Sequence, residues 1–143
     1  MFMSEQISRP NDFNLGIIAE FRRSSGRVES HGFASRVVLL HHIGARTGRM
    51  RVTPLGAMPY EDSWIVVGVP TPSGGPTWAM NLRVNPDIYL EVGTDLVAVR
   101  ARALEGEERT EVLGKFRVFM SGLGNPTEDD ILNFAVFRLE RRG

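Results

Sequence analysis

Cysteine is absent from this 143-residue chain, so disulfides, thiolate metal sites and cysteine nucleophiles are excluded together. Net charge is absent too. Seventeen basic side chains meet 17 acidic ones, which leaves no global field to hold nucleic acid or a membrane surface. No apolar run approaches bilayer-spanning length, and the opening MFMSEQISRPND lacks the basic-then-apolar order of a signal peptide. Internal repeats and low-complexity tracts are missing as well. The remaining balance, 42% apolar and 24% charged, is that of an ordinary globular chain. It predicts a soluble cytoplasmic protein with a tail at 1–10 and one domain at 11–143.

The periodicities predict α+β architecture. Phe13, Ile17, Ile18 and Phe21 fall on one helical stripe that opens at Asn11 or Asp12 as N-cap and ends near Ser24. Val37, Val38, Leu39 and Leu40 form a continuous apolar run, the pattern of a strand buried on both faces. Further strands are expected at 50–58, 63–69, 88–92, 96–104 and 135–140. Helices are expected at 77–84, stopped by Asn85-Pro86, and at 107–120. Pro70, Pro72, Gly74, Gly75 and Pro76 mark an irregular loop. Consecutive strands with short turns imply an antiparallel sheet closed into a small barrel, with helices outside.

Few residues suggest conventional catalysis. His41 and His42 are neighbours on a strand and point to opposite faces, so they cannot share a metal, and His31 has no second ligand at suitable spacing. No metal site is expected. There is no GxSxG elbow for a serine hydrolase. Glu105, Glu107, Glu108 and Glu111 suit the positive end of a helix dipole. The stretch GARTGRMRVTPL, 44–55, is different. Gly44 and Gly48 permit a tight turn that exposes backbone N–H groups, while Arg46, Arg49 and Arg51 supply guanidinium forks. That combination suits a phosphate or carboxylate. Arg49 and Arg51 are read as sharing a strand face. The plainer alternative is a solvated basic turn that holds nearby carboxylates. Trp78 and Asn81, three apart, share a face of the short helix.

Four segments together carry a resemblance: IIAEFRRSSGRV (17–28), LLHHIGARTGRMRVTPL (39–55), WAMNLRVNPDIYLEV (78–92) and VRARALEGEER (99–109). In order and spacing the chain resembles the deazaflavin-dependent nitroreductase and quinone reductase family, split β-barrel proteins that use reduced coenzyme F420. The resemblance implies that Arg46, Thr47, Gly48 and Arg51 contact the coenzyme's phosphate and acidic tail, with Arg49 nearby. It also implies that Val52, Thr53 and Pro54 line the ring, and that Trp78 and Asn81 lie in the groove. The loop before Trp78 is shorter than in many relatives and has no lysine. Phe116, Phe119, Met120 and Phe134 stand where nitroimidazole-reducing relatives carry tyrosines, which implies a more apolar acceptor pocket and poor nitroimidazole turnover. The implied activity is hydride transfer from F420 to a quinone, enone or similar electron-poor molecule, with no protein nucleophile. Two alternatives remain: FMN as cofactor on the same fold, or a non-catalytic carrier of a lipophilic ligand such as a fatty acid. The expected partner is the small-molecule acceptor, with peripheral membrane contact through the N-terminal helix and no nucleic acid.

Overall fold

Both faces of the first strand are covered, which explains its unbroken apolar sequence. In the computed structural model, which describes residues 12–68, 76–120 and 134–142, Val37, Val38, Leu39 and Leu40 are all buried in strand β1 (Val37–Ile43). Helix α1 (Asp12–Arg23) precedes β1, and β2 (Met50–Gly56), β3 (Met58–Tyr60) and β4 (Ser63–Gly68) follow it. The rest runs α2 (Thr77–Val84), β5 (Asp87–Val92), β6 (Asp95–Ala103), α3 (Gly106–Phe119) and β7 (Ala135–Arg141). The predicted tail at 1–10 and most of the predicted loop before Trp78 lie outside the described residues.

All strand pairings are antiparallel, in the order β2-β1-β5-β6-β7-β4-β3. The edge strands β2 and β3 are joined through Ala57 alone, so one bent strand serves both ends of the sheet and curls it into a split barrel. The sequence pattern predicts a single strand over 50–58; the structure breaks it at Ala57. There the β1 pairing runs out at Val37 opposite Gly56. The Ala57 N–H turns instead to the Arg36 carbonyl at 2.8 Å, and the chain re-pairs with β4 from Met58.

Strand alternation then sorts side chains into three cores. Val38 and Leu40 point into the barrel with Trp64, Val66, Leu90, Val99, Phe137 and Leu139, and α2 lowers Trp78, Ala79 and Leu82 into the same cluster. Val37 and Leu39 point the other way, against Ile17, Ile18 and Phe21 of α1. Ile65 and Val136 meet Val112 and Leu113 of α3. Each fully buried leucine contributes about 1.5–3 kcal/mol relative to exposure. The predicted α1 stripe holds for Ile17, Ile18 and Phe21, whereas Phe13, one turn earlier, is 53% exposed.

Candidate functional site

The β1–β2 connection is the Arg-rich turn. His42 pairs with Arg51 and Ile43 with Met50. The Gly44 N–H donates to the Arg49 carbonyl at 2.9 Å, and the Gly48 N–H donates to the Gly44 carbonyl at 2.9 Å. Gly48 sits at φ +70°, a conformation open to glycine at little cost. A Cβ on Gly44 would come within 2.5 Å of the Thr47 hydroxyl, so glycine lets Thr47 fold back, where its Oγ1 accepts the Arg49 N–H at 3.2 Å. Arg49 therefore belongs to the turn and not to the strand, which corrects the predicted face shared with Arg51.

Among the described residues, the turn holds none of the carboxylates that a merely solvated basic turn would hold. Among the described residues, the ion pairs of this chain involve other side chains, and none engages Arg46, Arg49 or Arg51. Arg46 and Arg49 are exposed. Arg51 is not: its Nε is buried and has no hydrogen-bond partner among the described residues. An unsatisfied buried donor costs about 1–3 kcal/mol. A phosphate or carboxylate oxygen at this position would remove that cost.

The strand pleat divides the predicted ring-lining set. Thr53 pairs with Leu40 and lies on the face of Arg51 and His42. Val52 lies on the opposite face, packed against the α1 cluster, and Pro54, opposite Leu39, follows it. Trp78 is 7% exposed and sits in the barrel core, with its ring centroid 6.0 Å from that of Phe137. Asn81 is 2% exposed and reaches the turn directly, where its Oδ1 accepts the Ala45 N–H at 2.8 Å.

Sequence reasoning set His42 aside, yet it is the hub of this site. It is 2% exposed. Its Nδ1 lies 2.9 Å from Asn81 Nδ2, and its Nε2 lies 2.9 Å from Thr53 Oγ1. The adjacency of His42 to the turn was the only signal in the sequence, because the residue that completes the network lies 39 positions away. His41 does point to the other face, where it meets Glu91 at 2.6 Å. Arg22 grips the same carboxylate through Nε and Nη2 and holds its pKa below the ordinary value.

Burial, followed by the charges of Arg51 and His41, pushes the His42 pKa down to about 4. The unfolded chain titrates this histidine at its ordinary 6.5. Between pH 4 and 6.5 the unfolded state therefore binds a proton that the native state refuses, and stability rises with pH. The contribution is full above about pH 6.5 and falls by up to about 3 kcal/mol by pH 4. Glu91 adds its own loss only below its ordinary 4.5, so the window from 4.5 to 6.5 reports His42. Urea midpoints across that window should climb for the native protein and stay flatter for His42→Gln. Equal slopes in the two would assign the acid sensitivity elsewhere.

The predicted acceptor-pocket residues gather away from the turn. Phe116, Phe119 and Phe134 belong to the cluster under α3, and the methyl of Met120 fills the space a Cβ on Gly56 would need. They thus lie towards the Gly56 end of β2, whereas the arginines lie at its Met50 end. At ~3.3 Å per residue the strand separates the two by about 20 Å. Two cavities of about 350 and 320 Å³ both reach Gly93, one lined by Phe21, Arg22, His41 and Glu91 and the other by Arg27, Val37, Pro59 and Trp64. Neither includes a predicted site residue. The candidate site is instead the open turn and the adjoining face of an edge strand. Among the described residues, no cluster of three or more metal-ligating side chains occurs, and no helix is long and apolar enough to cross a membrane.

Residues 17–125 match the profile of the family described as F420H(2)-dependent quinone reductase. An F420H(2)-dependent quinone reductase of Mycobacterium tuberculosis is 32% identical over 93 residues, which cover 61% of this chain and 60% of the relative; the match thus spans less than two thirds of that relative's length. A solved F420-H2 dependent reductase superposes with a TM-score of 0.56 at 27% identity, covering 73% of this chain and 94% of that one. A structure described as a domain-swapped dimer gives a TM-score of 0.61 at 25% identity, covering 88% and 96%.

Proposed function

The chain belongs to the F420H(2)-dependent quinone reductase family, and from that premise we propose that it binds reduced coenzyme F420 and reduces a quinone, enone or related electron-poor small molecule. The observation that carries this reading is Arg51, a cation whose buried Nε has no hydrogen-bond partner among the described residues. It stands beside a turn whose other two guanidiniums are free of carboxylates among the described residues. A phosphate and an acidic tail are the ligand groups such a set accepts best.

When bound, the reduced deazaflavin supplies a hydride, which with one proton converts a quinone to its quinol. The chain's own residues bind and orient. Arg46, Thr47, Gly48, Arg49 and Arg51 would hold the anionic part, and Asn81 braces the turn through the Ala45 amide. Thr53 presents a hydroxyl on the Arg51 face. Phe116, Phe119 and Met120, half-buried, would offer an apolar surface for a planar, lipophilic acceptor over the buried Phe134, with no hydroxyl among the four to orient a nitro group. The cysteine-free composition suits a reducing cytoplasm, and the exposed Phe13 and Leu15 on α1 give a membrane-dissolved acceptor a peripheral contact. Both belong to the proposal. The test is whether reduced F420 on this protein is reoxidised by a quinone, with reduced FMN as the control.

A further inference from the structure

The hydrogen-bond network behind the turn has only one self-consistent arrangement of protons. It starts from a group whose role is fixed. The Ala45 backbone N–H can only donate, so the Asn81 oxygen must face it, as it does at 2.8 Å. The Asn81 amide nitrogen therefore faces His42 and donates to Nδ1 at 2.9 Å. An Nδ1 that accepts carries no proton, so the neutral ring carries its proton on Nε2. That N–H donates to Thr53 Oγ1 at 2.9 Å. The Thr53 hydroxyl has then accepted on the inward side, and its own proton is left without an acceptor among the described residues.

From this ordering we propose that His42 and Asn81 are positioning residues that keep the Thr53 hydroxyl proton free to donate to a ligand beside Arg51. The site then selects ligands carrying an acceptor oxygen or nitrogen about one pleat repeat, ~7 Å, from the anionic group. Thr53 and Arg51 are two residues apart on one face of β2, so their unmet donors point to the same side of the strand. Asn81 and His42 are each 2% exposed. Water cannot easily re-pair them, and reversing any one bond would leave two donors or two acceptors facing each other. With the opposite tautomer the Thr53 proton would be spent on His42 Nε2, and the hydroxyl could only accept from a ligand. Here the choice is made by a backbone amide in the turn and relayed through two buried side chains. The device also ties the turn's geometry to the ring-lining strand, because moving Ala45 releases the first member of the chain.

The proposal rests on F420 binding at the Arg51 turn, and the test separates the two ideas. Nitrogen-detected NMR of the imidazole in the ligand-free protein at pH 7 reads the tautomer without any ligand. The expected signature is a neutral ring protonated on Nε2; a ring protonated on Nδ1 would overturn the relay. Binding of oxidised F420 is then compared for the native protein, Thr53→Val and Thr53→Ser. Valine keeps the shape and removes the donor, so affinity should fall about tenfold, as for loss of one hydrogen bond to a desolvated group. Serine keeps the donor and should stay within about threefold. Equal affinities for all three, or equal losses in both variants, would overturn the donor role of Thr53. A native protein that shows the Nε2 signature but ignores F420 would instead overturn the cofactor assignment.

Discussion

Arg51→Glu is expected to weaken F420 binding ten- to a hundredfold more than Arg49→Glu. The two substitutions change the charge equally, so a diffuse basic field would treat them nearly alike. The structure sets them apart. Arg49 is exposed in the turn, while Arg51 lies in the strand, paired with His42, with a buried Nε that has no partner among the described residues. A charge-assisted bond from that position is worth about 1.5–3 kcal/mol, which is the stated factor in dissociation constant. Salt provides the second arm, because exposed charges are screened beyond about 8–10 Å. Raising the ionic strength should therefore shrink the Arg49 effect more than the Arg51 effect. Calorimetric or fluorescence titrations of both variants at low and high salt, on protein shown to be folded, measure this. Equal losses at the two positions would reduce the clamp to a general patch of charge.

The largest stability effect is expected at Gly26. This residue follows α1, and its N–H donates to the Phe21 carbonyl at 2.8 Å, which closes the helix end as a positive-φ glycine does. Its φ is +97°, and a Cβ there would come within 2.6 Å of the Gly93 Cα in the β5–β6 turn. The obstacle is backbone, which cannot rotate aside as a side chain can. Gly26→Ala thus combines a backbone conformation costing roughly 1–2 kcal/mol with overpacking of about 1–3 kcal/mol. At about 4 °C per kcal/mol for a chain of this length, the melting temperature should fall by roughly 8–20 °C. Gly48→Ala supplies the control. Its φ is +70°, yet nothing lies within 4 Å of the added Cβ, so only the conformational cost applies and the fall should be roughly 4–8 °C. Similar shifts for the two would show that the close approach of Gly26 to Gly93 carries no energy.

The hairpin that builds the site could be read from its own residues. A β-branched run, a glycine-bounded turn and a Thr-Pro-Leu strand specify local pairing, and His42 duly lies opposite Arg51. The break at Ala57 could not be read, because it depends on the Arg36 carbonyl arriving from before β1. Alternation also limits what motif matching alone can assign. Val52, Thr53 and Pro54 are consecutive in the sequence, but only Thr53 shares a face with Arg51. Trp78 follows the same lesson: a helix that plugs the barrel places its tryptophan in the core beside Phe137, whatever its position after a loop suggests. Ligand spacing along the chain tests His42 only as a metal ligand. Its role comes from two hydrogen-bond partners on different elements, a relation that no spacing along the chain encodes.

The most direct test of the cofactor reading is an anaerobic reoxidation assay with purified protein, reduced F420 and a quinone, followed by the return of deazaflavin fluorescence. A parallel reaction holds reduced FMN, and a third adds a fatty acid to reveal competition for the groove. The predicted result is protein-dependent reoxidation of F420 by the quinone, with no acceleration of FMN oxidation and no block by the fatty acid. Reoxidation of FMN without F420 turnover, or a fatty acid that binds while F420 stays reduced, would contradict it.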